Sequence, residues 1–142
     1  MEKKIKFQSS TDHYIADACV VWCFDDRFSD LLGKFTKKMK HFDLVKIAGG
    51  AKALAGEPSP EQDFVLSQIK TSVRLHGAKR IALMLHRDCG AYGGSKSFSD
   101  AATEKDQQIS RLFAAKQLLT NEAPGVPVDI YFGDFDGLYV AG

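Results

Sequence analysis

Residues 18–24, ACVVWCF, form a continuous apolar run with the length of a β-strand. No polar residue interrupts the run, which is typical of a strand covered by other structure on both faces. Two further short and mainly apolar runs, residues 44–48 (LVKIA) and 80–86 (RIALMLH), are also predicted strands. Buried strands of this kind indicate a parallel sheet at the centre of the fold.

The segments between these strands carry apolar residues at helical spacing. Residues 28–42 place apolar side chains on one face and lysines on the other, which predicts an amphipathic helix. Ser59 can cap a second helix, Pro60 suits its first turn, and Gly77 is a typical C-terminal stop. Residues 100–121 predict a third helix, followed by prolines that would end it.

The order of these elements predicts the fold class. Two more strands are expected at residues 128–132 and, after a turn at 134–137, at residues 138–141. Strands that alternate with helices of this length favour the α/β class, with a mostly parallel central β-sheet flanked by helices. A chain of 142 residues fits one compact core, so we expect residues 1–142 to form a single domain.

Composition and charge argue against several classes of partner. The 19 Lys and Arg residues balance 18 Asp and Glu residues, so the net charge of +1 favours neither nucleic acid nor an anionic membrane. No window approaches the roughly 20 apolar residues of a membrane span, and the first ten residues lack the apolar run of a signal peptide. We therefore expect a cytoplasmic protein whose three cysteines are not paired in disulfides.

Two motifs with distinctive chemistry lie at the ends of predicted strands. Cys23-Phe-Asp25-Asp-Arg27 follows the first strand, and His86-Arg-Asp-Cys89 follows the third. Ligand sites of parallel sheets gather at the C-terminal ends of strands, so we expect the two motifs to meet. A His and a Cys three residues apart can reach one ion, and a Cys from a neighbouring strand can add a third ligand. Two thiolates and one imidazole suit zinc and leave a fourth position open, as in catalytic zinc sites.

The remaining cysteine and histidines carry no such pattern. Cys19 lies in the middle of the first strand, where a buried core cysteine is the expected state. The other histidines have no partner at ligand spacing, and we interpret them as surface or hydrogen-bonded side chains: His13, His41 and His76.

Taken together, the two motifs resemble the signature of the β-class carbonic anhydrases, Cys-x-Asp-x-Arg followed by His-x-x-Cys-Gly. Ala48-Gly-Gly50 between them is similar to the family's Ala-Gly-Gly or Ala-Gly-Asn segment. Gly133-Asp-Phe-Asp-Gly137 is similar to its closing strand and turn. The resemblance runs from about residue 18 to the C-terminus and is strongest to the short, archaeal-type branch.

The resemblance implies one Zn²⁺ ion per chain, with Cys23, His86 and Cys89 as its ligands. Asp25 and Arg27 would form the family's catalytic dyad, in which the carboxylate orients a zinc-bound hydroxide and the guanidinium holds the carboxylate. The implied activity is that of a carbonate dehydratase, a lyase that reversibly hydrates CO2 to bicarbonate. The implied assembly is a homodimer or a dimer of dimers, in which a second subunit completes the active-site cleft.

Two departures from the family pattern leave alternatives open. Asp26 stands where the family usually has Ser or Ala, and it introduces a competitor for Arg27 or for the metal. Lys46-Ile47 replaces the family's Arg-Asn ahead of Ala-Gly, which changes the expected lining of the substrate pocket.

Asp25 could itself become the fourth zinc ligand at low pH, as in part of the family. Two other functions would keep the zinc ligands: a non-catalytic zinc scaffold or regulatory module, and a carbonyl sulfide or carbon disulfide hydrolase.

Overall fold

Five strands form one sheet at the centre of the protein. The structure, a computed structural model, describes residues 1–142, and its strands are β1 Ala18–Cys23, β2 Phe42–Ile47, β3 Ile81–His86, β4 Val128–Asp134 and β5 Gly137–Val140. Their order across the sheet is β2-β1-β3-β4-β5. The first four strands are parallel and β5 runs antiparallel to β4. The predicted α/β class with a mostly parallel sheet is confirmed.

Four α-helices flank the sheet: α1 Ser29–Thr36, α2 Lys52–Ala55, α3 Pro60–His76 and α4 Ala101–Glu122. α3 begins as predicted, because the Ser59 hydroxyl accepts a hydrogen bond from the Gln62 amide at 3.1 Å. It ends at Gly77, whose φ of 55° is left-handed. The one-turn helix α2 was not predicted, since four residues are too few to show a helical period. No helix has both the length and the apolar character needed to cross a membrane.

The prediction of one helix over residues 28–42 is wrong in its extent. A 3₁₀ turn at Asp26–Phe28 leads into α1, which ends at Thr36, and β2 already begins at Phe42. The Thr36 hydroxyl donates to the Leu32 carbonyl at 2.9 Å, a local hydrogen bond that competes with continued helix. The Lys40 amide donates to the Asp17 carboxylate at 2.8 Å, which turns the chain into the edge strand.

Alternate side chains of β1 pack into two separate cores, one on each face of the sheet. The larger core lies under α2, α3 and α4, and the smaller one lies under α1. All six residues of β1 and all six of β3 are buried. The backbone of these two strands is therefore fixed from both faces, and residues at their C-terminal ends are held in defined positions.

Candidate metal centre

The C-terminal ends of β1 and β3 bring Cys23, His86 and Cys89 together. One potential ligand atom from each residue lies within 4.8 Å of the other two. The three residues are only 3%, 1% and 2% exposed, respectively. The cluster predicted from the two motifs is thus present, in a place that bulk water barely reaches.

The turn after β2 reaches this cluster because it contains glycine. Gly50 has a φ of 54°, and a Cβ atom there would lie 2.6 Å from the Met84 carbonyl oxygen and 3.1 Å from the Cys23 amide nitrogen. Only a residue without a side chain allows so close an approach. The Ala48-Gly-Gly50 segment therefore packs directly against the strand ends that carry the cluster.

The His86 ring is oriented so that one nitrogen is left for a ligand. Its Nδ1 lies 2.7 Å from the carbonyl oxygen of Arg87, so Nδ1 carries the proton and donates it. Nε2 is buried and has no hydrogen-bond partner. A buried acceptor without a partner is costly, whereas a backbone carbonyl on the opposite nitrogen is the usual support of a metal-binding histidine. The Phe28 ring packs against the imidazole with 4.3 Å between centroids.

A hydrogen bond joins the Cys23 and Cys89 thiols and shifts their pKa values in opposite directions. The hydrogen bond from Cys89, aided by His86, lowers the pKa of Cys23. The same interaction and burial raise the pKa of Cys89 far above its usual range, because a second buried thiolate would repel the first. A divalent cation would remove this conflict and take both thiolates together with Nε2. The donor set, two sulfurs and one imidazole nitrogen, fits zinc.

Asp25 and Arg27 form a bidentate ion pair beside the cluster. Arg27 donates to the Asp25 carboxylate from Nη2 at 2.7 Å and from Nε at 3.0 Å. The Arg27 backbone amide adds a third hydrogen bond to the same carboxylate, at 3.1 Å. The Arg27 guanidinium holds the pKa of Asp25 below its usual range, so this carboxylate is ionised near neutral pH.

Neither departure from the family pattern makes a hydrogen bond with the cluster or with Arg27. The Asp26 carboxylate accepts a hydrogen bond from the Ser29 hydroxyl at 3.1 Å and makes none with Arg27, so the expected competition for Arg27 does not occur. Lys46 donates to the same hydroxyl from Nζ at 2.9 Å. Ile47 lines a separate cavity of about 760 Å³ that borders the cluster through Ala48 and Ala91.

A polar network that was not predicted from the sequence supports the cluster. Arg87 binds Asp134 at 2.8 Å and the buried Glu104 at 3.2 Å. Asp88 accepts a hydrogen bond from Arg27 Nη1 at 3.0 Å. Arg87 and Asp88 are the two middle residues of His-x-x-Cys, and their position between two proposed ligands is the sequence signal for this network. Glu104 gave none, because a glutamate in the first turn of a helix is usually exposed.

A small cleft of about 440 Å³ opens beside the predicted ligands. Its walls combine apolar side chains, Phe24, Ala48 and Ala91 among them, with two acidic residues, Asp25 and Asp26. A cleft of this size and character suits a small uncharged molecule better than a large or highly charged one.

Comparison with known proteins agrees with this description. The sequence pattern of the family described as "Putative carbonic anhydrase" matches residues 15–137. A curated relative, an uncharacterised protein of Rickettsia conorii, is 24% identical over 96% of this chain and 80% of its own length.

Solved structures share the fold at low sequence identity. The β-carbonic anhydrase isoform I of Trichomonas vaginalis has a TM-score of 0.68 at 13% identity, covering 96% of this chain and 87% of that one. A carbon disulfide hydrolase in its apo form has a TM-score of 0.60 at 15% identity, covering 89% of this chain and 79% of that one. From its matched length, its fold and the motifs at its strand ends, the chain belongs to the carbonic anhydrase family of the β-class fold.

Proposed function

We propose that this protein is a zinc-dependent carbonic anhydrase that interconverts CO2 and bicarbonate. The proposal rests on one observation: potential metal-ligand atoms of Cys23, His86 and Cys89 lie within 4.8 Å of one another at one end of the sheet. The ionised Asp25 and its Arg27 partner lie beside them. We assign one zinc ion per chain to Cys23, His86 and Cys89, and the dyad role to Asp25 and Arg27. Family membership supports the same assignment.

Zinc, when bound, supplies the Lewis acidity that lowers the pKa of water and makes a nucleophile available near neutral pH. Asp25 is the group of this chain that orients that water, because its carboxylate is ionised and only partly occupied by Arg27. Arg27 keeps its proton at all relevant pH values, so it holds Asp25 in place throughout the cycle. The apolar walls at Phe24 and Ala48 leave room for CO2, and the negative charges of Asp25 and Asp26 on the same cleft disfavour retention of bicarbonate.

A second candidate function is hydrolysis of carbon disulfide or carbonyl sulfide. It is favoured by one observation, the shared fold with a carbon disulfide hydrolase. Both substrates are small, linear and uncharged like CO2, so the cleft does not discriminate against them. The two activities are separated by their products, because only the second releases sulfide.

The proposed assembly is a homodimer or a dimer of dimers. The cleft and the neighbouring cavity are open on the surface, and Phe24 and Phe64, which line them, are exposed. A second copy that covers these apolar side chains would close the site. We place the protein in the cytoplasm, where its three free cysteines stay reduced. Sedimentation that finds only monomer at micromolar concentration would contradict the assembly.

The decisive test combines metal analysis with a stopped-flow CO2 assay between about pH 7 and pH 9. We expect about one zinc per chain in protein purified without chelators. We also expect hydration faster than in buffer, with a rate that rises with pH. Sulfide release from carbonyl sulfide without CO2 hydration would favour the second candidate. Full zinc with neither activity would make the protein a non-catalytic zinc scaffold.

A further inference from the structure

The Arg27 guanidinium has a second acidic partner on the side away from Asp25. Its Nη1 donates to Oδ2 of Asp88 at 3.0 Å, and its Nη2 donates to the backbone carbonyl of Asp88 at 3.1 Å. Asp25 therefore holds one edge of the guanidinium while Asp88 holds the other. The planar geometry of arginine makes such a two-sided arrangement directional.

Asp88 is in an unusual conformation that the surrounding structure enforces. Its φ of 56° makes it the one residue other than glycine with a positive φ. Such a conformation is disfavoured and persists only where other contacts hold it. Here the Asp88 amide donates to Oε1 of Glu104 at 2.6 Å, and Oδ1 of Asp88 accepts from the Ser95 amide at 2.8 Å.

Glu104, which holds Asp88, is buried and fixed by several bonds, whereas Arg27, which Asp88 contacts, is half exposed. Glu104 is completely buried and is fixed by Arg87 at 3.2 Å and by the Ser95 hydroxyl at 2.7 Å. The Arg27 side chain is 48% exposed. A half-exposed arginine gains little stability from a surface ion pair, so the contact matters for where the guanidinium lies.

We propose that Asp88 is a positioning residue, which fixes Arg27 so that Arg27 can hold Asp25 at the cleft. Asp88 directly precedes Cys89, so it also ties the Asp25 and Arg27 pair to the loop that carries this proposed metal ligand. Glu104 and Ser95 support Asp88 from behind. The catalytic consequence rests on the proposed function, whereas the positioning of Arg27 does not depend on the reaction.

The test uses zinc-loaded protein and the substitution Asp88→Asn. Asparagine tolerates a left-handed φ, and its Oδ1 can still accept from the Ser95 amide. Its amide group would face Arg27 Nη1 with a donor in place of an acceptor. Asp88→Gly is a second variant, which keeps the backbone conformation and removes the side chain. Asp30→Asn is the matched control, because it removes the same charge from an exposed carboxylate that pairs with Lys34 and does not line the cleft.

The first measurement is hydrogen exchange at Nε of Arg27, followed by NMR and assigned through the loss of its signal in Arg27→Lys. We expect exchange about 10-fold faster in both Asp88 variants, because a guanidinium that Asp88 no longer fixes leaves Asp25 more often, and Nε then loses its charge-assisted hydrogen bond to Asp25. The second measurement is CO2 hydration, where we expect kcat to fall about 10-fold while KM and zinc content stay unchanged. Asp30→Asn should leave all of these values unchanged.

Unchanged exchange at Arg27 in both Asp88 variants would overturn the proposal. An unchanged kcat in an active enzyme would also overturn it, since positioning without a catalytic effect is a structural role only. If the zinc-loaded wild type does not hydrate CO2, the proposed function fails. The exchange measurement then still decides whether Asp88 positions Arg27.

Discussion

The two ends of the sheet use the same residue types in different ways. The C-terminal end carries Cys23, Asp25, His86 and Cys89, and the N-terminal end carries Cys19, Asp43 and His76. Each end thus has cysteine, aspartate and histidine in one neighbourhood. Only the bonding between these side chains distinguishes a candidate metal site from a structural cluster.

The N-terminal cluster is closed, because its members satisfy one another. Asp43 accepts hydrogen bonds from the Tyr14 hydroxyl at 2.7 Å, from the Ser72 hydroxyl at 2.6 Å and from His76 Nδ1 at 2.7 Å. Burial raises the pKa of the neighbouring Cys19 to about 11, so this thiol stays protonated. No group of metal-ligand atoms comes together at this end.

The C-terminal cluster, in contrast, keeps a hydrogen-bonding atom that no protein group satisfies. His86 uses Nδ1 on a backbone carbonyl, and its buried Nε2 has no partner. The pKa of Cys23 is lowered by the hydrogen bond from Cys89, opposite to the shift of Cys19. Buried polar groups are normally paired, so the unpaired Nε2 beside two thiols marks a place that a ligand can fill. The difference between the ends lies in unsatisfied bonding capacity, since the residue types are shared.

The largest expected difference between the two ends is in metal binding. Cys89→Ser should lose nearly all zinc and lower the melting temperature, because the two strand ends would no longer be tied by the ion. Cys19→Ala should keep one zinc per chain, although it leaves a small cavity in the larger core. Metal analysis and thermal unfolding of both purified variants measure these effects.

A loss of zinc in Cys19→Ala without unfolding would contradict the division into two ends. So would full zinc in Cys89→Ser, since it would remove Cys89 from the ligand set. Adding a chelator to the wild type should reproduce the lower melting temperature of Cys89→Ser. The same chelator should leave Cys89→Ser itself unchanged.

The next effect concerns Asp25, the aspartate of the C-terminal end. Asp25→Asn should lower kcat for CO2 hydration by roughly 10²-fold with zinc retained, the scale of a positioned acid-base group. Its unfolding free energy should change by less than about 1 kcal/mol, because its arginine partner is half exposed. Asp26→Asn should change kcat by no more than about twofold. A stopped-flow assay beside urea unfolding separates the two quantities.

The C-terminal end was largely predictable from the sequence. Its residues lie at the ends of two continuous apolar runs, and parallel strands deliver their C-terminal ends to one edge. The local patterns around Cys23 and His86 were therefore sufficient to predict their meeting.

The N-terminal cluster was not predictable in the same way. Asp43 and His76 are 33 residues apart and belong to an edge strand and a helix end, so neither has a local motif. Their contact arises from the packing of α3 on β2. The contact between Asp88 and Arg27 was not predicted either. It depends on the left-handed backbone of Asp88, which is held by Glu104 in a helix distant in sequence. Long-range polar pairing of this kind leaves no period in the sequence.

The smallest effect concerns Asp43, the aspartate of the N-terminal end. Asp43→Asn should lower the unfolding free energy by about 2 kcal/mol near neutral pH, since three donors lose their charged acceptor. Zinc content and kcat should not change. Burial opposes ionisation of Asp43, but the bonds from Ser72, Tyr14 and His76 prevail, so its pKa lies below the usual 3.8.

The lowered pKa of Asp43 determines how the difference in unfolding free energy between wild type and Asp43→Asn depends on pH. An aspartate with a lowered folded pKa stabilises the protein above the unfolded pKa, and this contribution fades as the pH falls through the folded one. The difference in unfolding free energy should therefore be full above about pH 5 and shrink below about pH 4. Zinc release in acid affects both proteins and cancels in the difference. A difference that stays constant down to about pH 3 would assign the role of Asp43 to packing rather than charge. A tenfold loss of kcat in Asp43→Asn would instead show that the two ends of the sheet are coupled.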